Sequence, residues 1–149
     1  MTIWVDADAM PRAVKEVLYK AAQRRRVEVV LVANAYLNIP QIPRLSAVRV
    51  AAGADVADDH IVEQCAAGDL VISADVPLAA RVVAKGAQVL QPHGRVLDEE
   101  NVDEVLSIRN FKDELRSTGI ETGGPPPFGA QHKNKFSNAL DRWLTRHGH

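Results

Sequence analysis

Short runs of β-branched residues alternate with helical patterns along most of this chain. The strand-like runs are TIWVD (2–6), VEVVLVAN (27–34), SAVRVAA (46–52), DLVISAD (69–75) and AQVLQP (87–92). Between the first two runs, Val14, Val17, Leu18 and Ala21 recur at helical spacing after Pro11, which suits the first turn of a helix. Elements that alternate in this way form a mainly parallel sheet with right-handed crossovers and helices on both faces. The chain is therefore predicted to be an α/β protein with a three-layer αβα arrangement around about five strands.

The rest of the chain continues this pattern and then changes character. Further helices are predicted over residues 58–67, 76–86, 97–119 (with a break near Ser107) and 133–146. Residues 123–127, GGPPP, fit neither the interior of a helix nor that of a strand, and they indicate an extended linker. We expect one α/β domain over residues 1–122. Residues 123–149 would supply the Gly/Pro-rich linker and an amphipathic C-terminal helix that packs on the same domain or on a neighbour.

The composition is that of an ordinary globular protein of 149 residues, which is long enough for one domain with a proper core. No apolar run approaches the roughly 20 residues that a membrane-spanning helix needs, and no signal-peptide pattern is seen. The one cysteine, Cys65, excludes an intramolecular disulfide and a cysteine-rich zinc site, and its spacing indicates a core position. We therefore expect a cytoplasmic protein without a membrane partner.

The formal charge of −1 conceals three blocks of different sign. Residues 1–49 carry eight Lys/Arg and four Asp/Glu, residues 50–108 carry three and eleven, and residues 109–149 carry seven and four. An acidic middle between two basic ends suits a protein that holds cations beside a polyanion. Solvated helix faces are the simpler interpretation of the charge blocks taken alone.

Several aspartates fall where predicted strands end. Asp6 closes the first strand and Asp75 closes the fourth, while Asp55, Asp58 and Asp59 follow the third strand and open the next helix. Parallel strands lie about 4.8 Å apart, and sites in such sheets form beyond their carboxyl ends. Carboxylates gathered there repel one another unless a cation neutralises them. This pattern predicts a site for Mg²⁺ or Mn²⁺ ligated by oxygen.

Each aspartate also has a structural alternative. Asp58 and Asp75 stand where they could cap the following helices, and Asp8 could cap the first helix. Asp6 comes too early to cap a helix that begins near Pro11, so it argues most strongly for function. Asp69 is expected to be a surface residue.

Basic residues near the predicted loops and in the tail are candidates for contacts with nucleic-acid phosphates, with ordinary solvation as the alternative. They are Arg12, Lys15, Arg95, Lys133 and Lys135. Neither a Walker loop nor a G-x-G-x-x-G pattern occurs, which argues against nucleotide binding of those kinds.

Several stretches together resemble one bacterial family over nearly the whole chain. They are VDADAMP, LVANAYLNIP, GADVADDHIVE, GDLVISADVPLAARVVAKGAQVL and GGPPPFG. In this combination and order they resemble the uncharacterised YaiI/YqxD family. The sequence departs from the family pattern at residues 131–135, where QHKNK replaces an acid beside an arginine.

That family is similar in turn to PIN-like nuclease domains, which use Mg²⁺ or Mn²⁺ to cut RNA or DNA. The resemblance implies catalytic roles for Asp6, Asp58 (with Ile61 in a D-x-x-I pattern) and Asp75. It implies that the metal ligands are drawn from Asp6, Asp8 (through water), Asp58, Asp59 and Asp75. Asp55, which follows the third strand, is added to this set as a supporting ligand. The resulting expectation is a metal-dependent nuclease acting on RNA. The alternative is a non-catalytic PIN-like module that binds nucleic acid or a protein, and the oligomeric state stays open.

The opening stretch VDADAM also resembles the D-x-D-x-[TV] signature of haloacid-dehalogenase-type phosphatases. In that family the first Asp is a nucleophile and the second is a general acid. Here Met10 stands where a flap should begin, Pro11 starts a helix at once, and Lys85 lies at a helix end. The phosphatase therefore ranks below the nuclease.

Overall fold

The computed structural model describes residues 1–8, 10–53, 55–119 and 128–149, and these residues are organised around a six-stranded sheet. The strands are β1 (Thr2–Asp6), β2 (Glu28–Ala33), β3 (Leu45–Arg49), β4 (Leu70–Ile72), β5 (Gln88–Leu90) and β6 (Val96–Leu97). Their order in space is β3-β2-β1-β4-β5-β6, and every neighbouring pair is parallel except β5 with β6. The predicted α/β class and mainly parallel sheet are confirmed. The side at which β1 to β5 end is called the carboxyl edge below.

Five helices occur within the described ranges: α1 (Arg12–Arg24), α2 (Val56–Gln64), α3 (Val76–Val83), α4 (Val102–Ser117) and α5 (Ala130–Arg146). Helix α1 follows Pro11, as expected. Helix α2 begins two residues earlier than predicted, and α4 begins at Val102 and continues through Ser107 without a break. The predicted linker at 123–127 lies outside the described residues.

The sixth strand was missed because a tight turn returns the chain antiparallel to β5. The backbone N–H of Gln91 donates to the carbonyl of Arg95 at 2.8 Å, and that of Gly94 donates to the carbonyl of Gln91 at 2.9 Å. Gly94 has a φ of +101°, a conformation that glycine adopts readily. Only Val96 and Leu97 then pair with β5, so the strand is too short to show a periodicity. The prediction that Leu97 begins a helix was wrong.

The hydrophobic core forms two clusters on opposite faces of the sheet. Along β1, Ile3 and Val5 pack with α1 and α5, while Trp4 packs with the cluster that contains α2, α3 and the first turn of α4. The buried side chains of α5 in the first cluster are Phe136, Ala139, Leu140, Trp143 and Leu144. The indole of Trp143 donates to Oε1 of Gln88 at 2.7 Å, which ties α5 to β5.

Asp69 lies in the interior rather than on the surface. Its side chain is 7% exposed, and it accepts hydrogen bonds from Thr2 N at 3.0 Å, Trp4 Nε1 at 3.1 Å and Ala66 N at 2.9 Å. These bonds join the start of β1, the loop after α2 and the start of β4. The prediction of a surface position was therefore wrong. Cys65 is buried, as expected.

Within the described ranges, none of the helices combines the length and the apolar character that crossing a membrane requires.

Candidate active site

Asp6 lies at the carboxyl edge, where Ser73 holds its side chain. Val5 pairs with Ile72 of β4, so the residues that follow in each strand, Asp6 and Ser73, are brought side by side. The buried Ser73 hydroxyl donates to Oδ2 of Asp6 at 3.0 Å and accepts from the backbone N–H of Asp75 at 3.0 Å. Ser73 thus connects two of the predicted site residues. Sequence analysis missed Ser73, although its place directly after β4 could have indicated this role.

Asp75 combines a structural and an electrostatic role. Its Oδ1 accepts from the backbone N–H of Leu78 at 3.0 Å, so the predicted cap of α3 is confirmed. Its negative charge also raises the pKa of both Asp6 and Asp58. A capping carboxylate is therefore also part of the charge environment at the carboxyl edge.

Asp58 lies in the first turn of α2 and points into the same environment. Asp55, with a φ of +67°, occupies the N-cap position of α2 and makes no side-chain cap bond, so the alternative that Asp58 caps this helix was wrong. The pKa of Asp58 is raised to about 6, first by partial burial and then by the charges of Asp75, Asp6 and Asp55, while Arg81 opposes the rise. The fold thus brings Asp6, Asp58 and Asp75 from three separate segments into mutual influence. These three residues are called the acidic site below.

The pKa of Asp6 is raised as well. Burial is the largest cause, the hydrogen bond from Ser73 opposes it, and the charges of Asp75 and Asp8 raise the pKa further. A carboxylate at this position is costly to ionise unless a positive charge approaches it.

Asp8 and Asn34 form a second pair at the same edge. Both carboxylate oxygens of Asp8 accept from the backbone N–H of Asn34, at 3.0 and 2.9 Å, so the alternative that Asp8 caps α1 was wrong. The Oδ1 atom of Asn34 is buried and has no hydrogen-bond partner within the described residues. A buried acceptor of this kind is costly unless a donor reaches it. Sequence reasoning missed Asn34, which follows β2 directly and could have been found by that position.

Asp55 and Asp59 lie at the margin of the acidic site. Asp55 is exposed, and its carbonyl accepts from the backbone N–H of Asp59 at 2.8 Å. Asp59 forms an ion pair with Arg81 of α3 at 2.9 Å, which turns its carboxylate toward that helix. Asp59 is therefore directed toward Arg81, while Asp55 contributes its charge, which raises the pKa of Asp58.

The acidic site fits a hydrated divalent cation better than a closed metal cage. Within the described ranges, no three His, Cys, Asp or Glu side chains lie close enough together to enclose a metal ion. Magnesium commonly takes one or two protein carboxylates and keeps several water ligands. Such an ion would relieve the mutual charge repulsion around Asp6 and Asp58, which raises the pKa of both residues.

The stability of the protein without metal should depend on pH through Asp58. Its pKa is raised from 3.8 to about 6 in the folded state, so the folded protein binds this proton more tightly than the unfolded chain does. Between pH 3.8 and about pH 6, the contribution of Asp58 to the free energy of unfolding is therefore largest at the acidic end, and it is lost as the pH rises. Urea denaturation in EDTA across this pH range should show Asp58→Asn gaining stability relative to the wild type as pH rises. A constant difference between the two proteins would contradict the prediction.

The predicted phosphate-binding residues lie on two helices and one turn. Arg12 and Lys15 lie at the start of α1, where Arg12 pairs with Glu16 at 3.4 Å. Lys133 lines a groove between α1 and α5. Arg95 belongs to the β5–β6 turn, and Lys135 lies where Gly94 of that turn contacts α5. Both positive charges lower the pKa of His93, which is in the same turn.

Comparison with known proteins identifies one set of relatives. A family described as "Uncharacterized BCR, YaiI/YqxD family" matches residues 4–146. The UPF0178 protein of Maridesulfovibrio salexigens is 54% identical over 146 residues, which cover 98% of this chain and 97% of the relative. The UPF0178 protein of Myxococcus xanthus is 52% identical over 146 residues, covering 98% of this chain and 95% of the relative. No solved structure matches the chain.

Proposed function

The chain belongs to the YaiI/YqxD family, and we propose that it is a metal-dependent nuclease that hydrolyses phosphodiester bonds in RNA. The gathering of Asp6, Asp58 and Asp75 at the carboxyl edge carries this proposal. The proposal includes the three-layer, PIN-like arrangement, which the order of these residues supports: an Asp at the end of β1, a D-x-x-I pattern ending at Ile61 in α2, and an Asp after β4.

In this proposal one or two of the carboxylates of Asp6, Asp58 and Asp75 would bind Mg²⁺ or Mn²⁺ directly. The remaining one, together with Asp8, Asp55 and Asp59, would act through the water ligands of the ion. When bound, such an ion polarises the phosphoryl group and lowers the pKa of an attacking water. Ser73 fixes the carboxylate of Asp6, and the cap bond from the backbone N–H of Leu78 engages Oδ1 of Asp75, so Oδ2 would be the oxygen offered to a ligand.

The phosphatase alternative finds less support. Its mechanism needs a lysine near the first aspartate, but Nζ of Lys85 donates to the backbone carbonyls of Val62 and Glu63 beside the end of α2. Asp8, the second aspartate of that signature, is held by the backbone N–H of Asn34. The nuclease proposal gives a role to Asp58 of α2 and to Asp75 at the start of α3, neither of which the phosphatase signature requires.

The direct test is an RNA cleavage assay with the full chain. We expect labelled single-stranded RNA to be cut in the presence of Mn²⁺ or Mg²⁺ and to stay intact in EDTA. A parallel reaction with Ca²⁺ controls for simple charge neutralisation, because Ca²⁺ prefers more ligands at longer distances. If the protein bound RNA but did not cut it with either Mn²⁺ or Mg²⁺, the nuclease proposal would be overturned and the non-catalytic binding module favoured.

A further inference from the structure

Four basic residues lie where the β5–β6 turn packs against the start of α5: His93, Arg95, His132 and Lys135. They are called the basic cluster below. The backbone of the turn lies directly against the helix, since a Cβ atom built on Gly94 would fall 2.9 Å from both Cβ and the carbonyl carbon of Lys135. The contact is therefore built into the backbone and does not depend on flexible side-chain ends.

The charges of these residues influence one another. Partial burial lowers the pKa of His93, and the charges of His132, Arg95 and Lys135 lower it further. Arg95 and Lys135 are both exposed, so their charged groups remain open to a ligand. Like charges held close together repel one another, and an anion that binds between them reduces this repulsion.

The hydrogen bond at the start of α5 fixes the orientation of His132. Its Nδ1 accepts from the backbone N–H of Gly129 at 3.0 Å, so the neutral ring carries its proton on Nε2. Nε2–H is then a donor in the same cluster as the Arg95 guanidinium, whose planar fork matches two phosphate oxygens. The cluster therefore offers directed donors as well as charge.

The basic cluster lies at the same edge of the sheet as the acidic site. The turn that carries His93 and Arg95 follows β5, which is parallel to β4 and, through it, to β1. Two strand spacings separate β1 from β5, which is roughly 10 Å. A polyanion lying across the strand ends can reach both groups of residues.

An exposed aromatic residue lies at the other end of this line. Tyr36 follows β2 by three residues, is 78% exposed, and shares a surface pocket with Val48 and Arg49 at the end of β3. Exposed aromatic rings bind single-stranded nucleic acid by stacking on unpaired bases. The order along the edge is thus Tyr36, the acidic site and the basic cluster.

We propose that the carboxyl edge binds single-stranded RNA, with backbone phosphates on the basic cluster and an unpaired base on Tyr36. This inference rests on the proposed nuclease function. It adds that the substrate is single-stranded and that it lies across the ends of the β-strands. The scissile phosphate then lies between two anchoring points, over the acidic site. Duplex RNA offers phosphates to the cluster but no free base to Tyr36.

Binding can be tested apart from cleavage by fluorescence anisotropy in EDTA, with a labelled single-stranded RNA of about 12 nucleotides. The double variant Arg95→Gln/Lys135→Gln should bind about 10-fold more weakly, and the slope of log affinity against log salt should decrease by about 1.4. The double variant Arg26→Gln/Arg44→Gln has the same change of charge and is the matched control, because both residues are exposed and lie just before β2 and β3, at the opposite end of the sheet. Its affinity should stay close to that of the wild type. Tyr36→Ala should weaken binding of the single strand at least about fivefold and leave binding of the duplex unchanged.

The outcomes separate this inference from the nuclease. If Arg95→Gln/Lys135→Gln lost no more affinity for RNA than the control, the role of the basic cluster in binding would be overturned, even if metal-dependent cleavage is observed. Equal effects of Tyr36→Ala on single strand and duplex would overturn the assignment of single-stranded RNA. Cluster-dependent binding without any cleavage would uphold this inference and contradict the nuclease alone.

Discussion

Asp6→Asn is expected to lower the rate of manganese-dependent RNA cleavage by at least about 100-fold and to leave the protein folded. The substitution removes the negative charge at the centre of the acidic site while keeping the shape of the side chain. An amide oxygen is a weaker ligand for a hard divalent cation than a carboxylate, so metal affinity should fall together with cleavage. Single-turnover cleavage of labelled RNA at several Mn²⁺ concentrations measures both effects.

Stability should respond to Asp6→Asn in the opposite direction to activity. The amide oxygen still accepts from the hydroxyl of Ser73, which donates to Oδ2 of Asp6 at 3.0 Å in the wild type. The lost charge is one of the causes that raise the pKa of Asp58, so that pKa should fall toward its usual value. Without metal, the free energy of unfolding at neutral pH should therefore be unchanged or higher.

Glu28→Gln is the matched control for this experiment, because Glu28 is an exposed acid at the opposite end of the sheet, on the first residue of β2. It should leave both cleavage and the free energy of unfolding close to those of the wild type. Full cleavage activity in Asp6→Asn would remove Asp6 from the mechanism. A marked loss of stability in metal-free Asp6→Asn would show that the carboxylate is needed for the fold.

The position of Asp6 and Asp75 at one edge follows from the sequence because it depends only on where parallel strands end. The periodic apolar runs that end near these residues indicate both the strands and their direction. The position of Asp58 is harder to predict from the sequence, because it depends on where α2 begins. Asp55 starts this helix with a positive φ and no side-chain cap, and no residue pattern distinguishes that start from a helix capped by Asp58.

The misassigned residues share a different cause. Asp69 looks like a surface residue because its burial depends on donors far away in the sequence, the N–H of Thr2 and the indole of Trp4. The basic cluster likewise depends on the turn that adds β6 and on the contact of Gly94 with α5. Local periodicity carries no information on such long-range partners, so the fold class can be predicted while these contacts cannot.

Asp69→Ala is expected to lower the free energy of unfolding by about 3–5 kcal/mol, because it removes the acceptor for three N–H donors at once. The donors are Thr2 N, Trp4 Nε1 and Ala66 N, and the Asp69 side chain is 7% exposed, so water cannot readily take its place. For a chain of this size the melting temperature should fall by about 10 °C. Thermal and urea denaturation measure the loss. Asp141→Ala, which removes an exposed carboxylate 3.7 Å from Arg25, is the control and should cost no more than about 1 kcal/mol.

A second variant identifies the mechanism of that loss. Trp4→Phe removes one donor and keeps most of the apolar ring, so Asp69 retains two of its bonds and the cost should be clearly smaller than that of Asp69→Ala. Asp69 lies at the amino end of β4, away from the acidic site, and the fraction of Asp69→Ala that stays folded should therefore cleave RNA at the wild-type rate. Asp6→Asn is expected to lose activity and keep stability, whereas Asp69→Ala is expected to lose stability and keep activity. If Asp69→Ala proved as stable as the wild type, the three hydrogen bonds would not be what joins β1, β4 and the loop after α2.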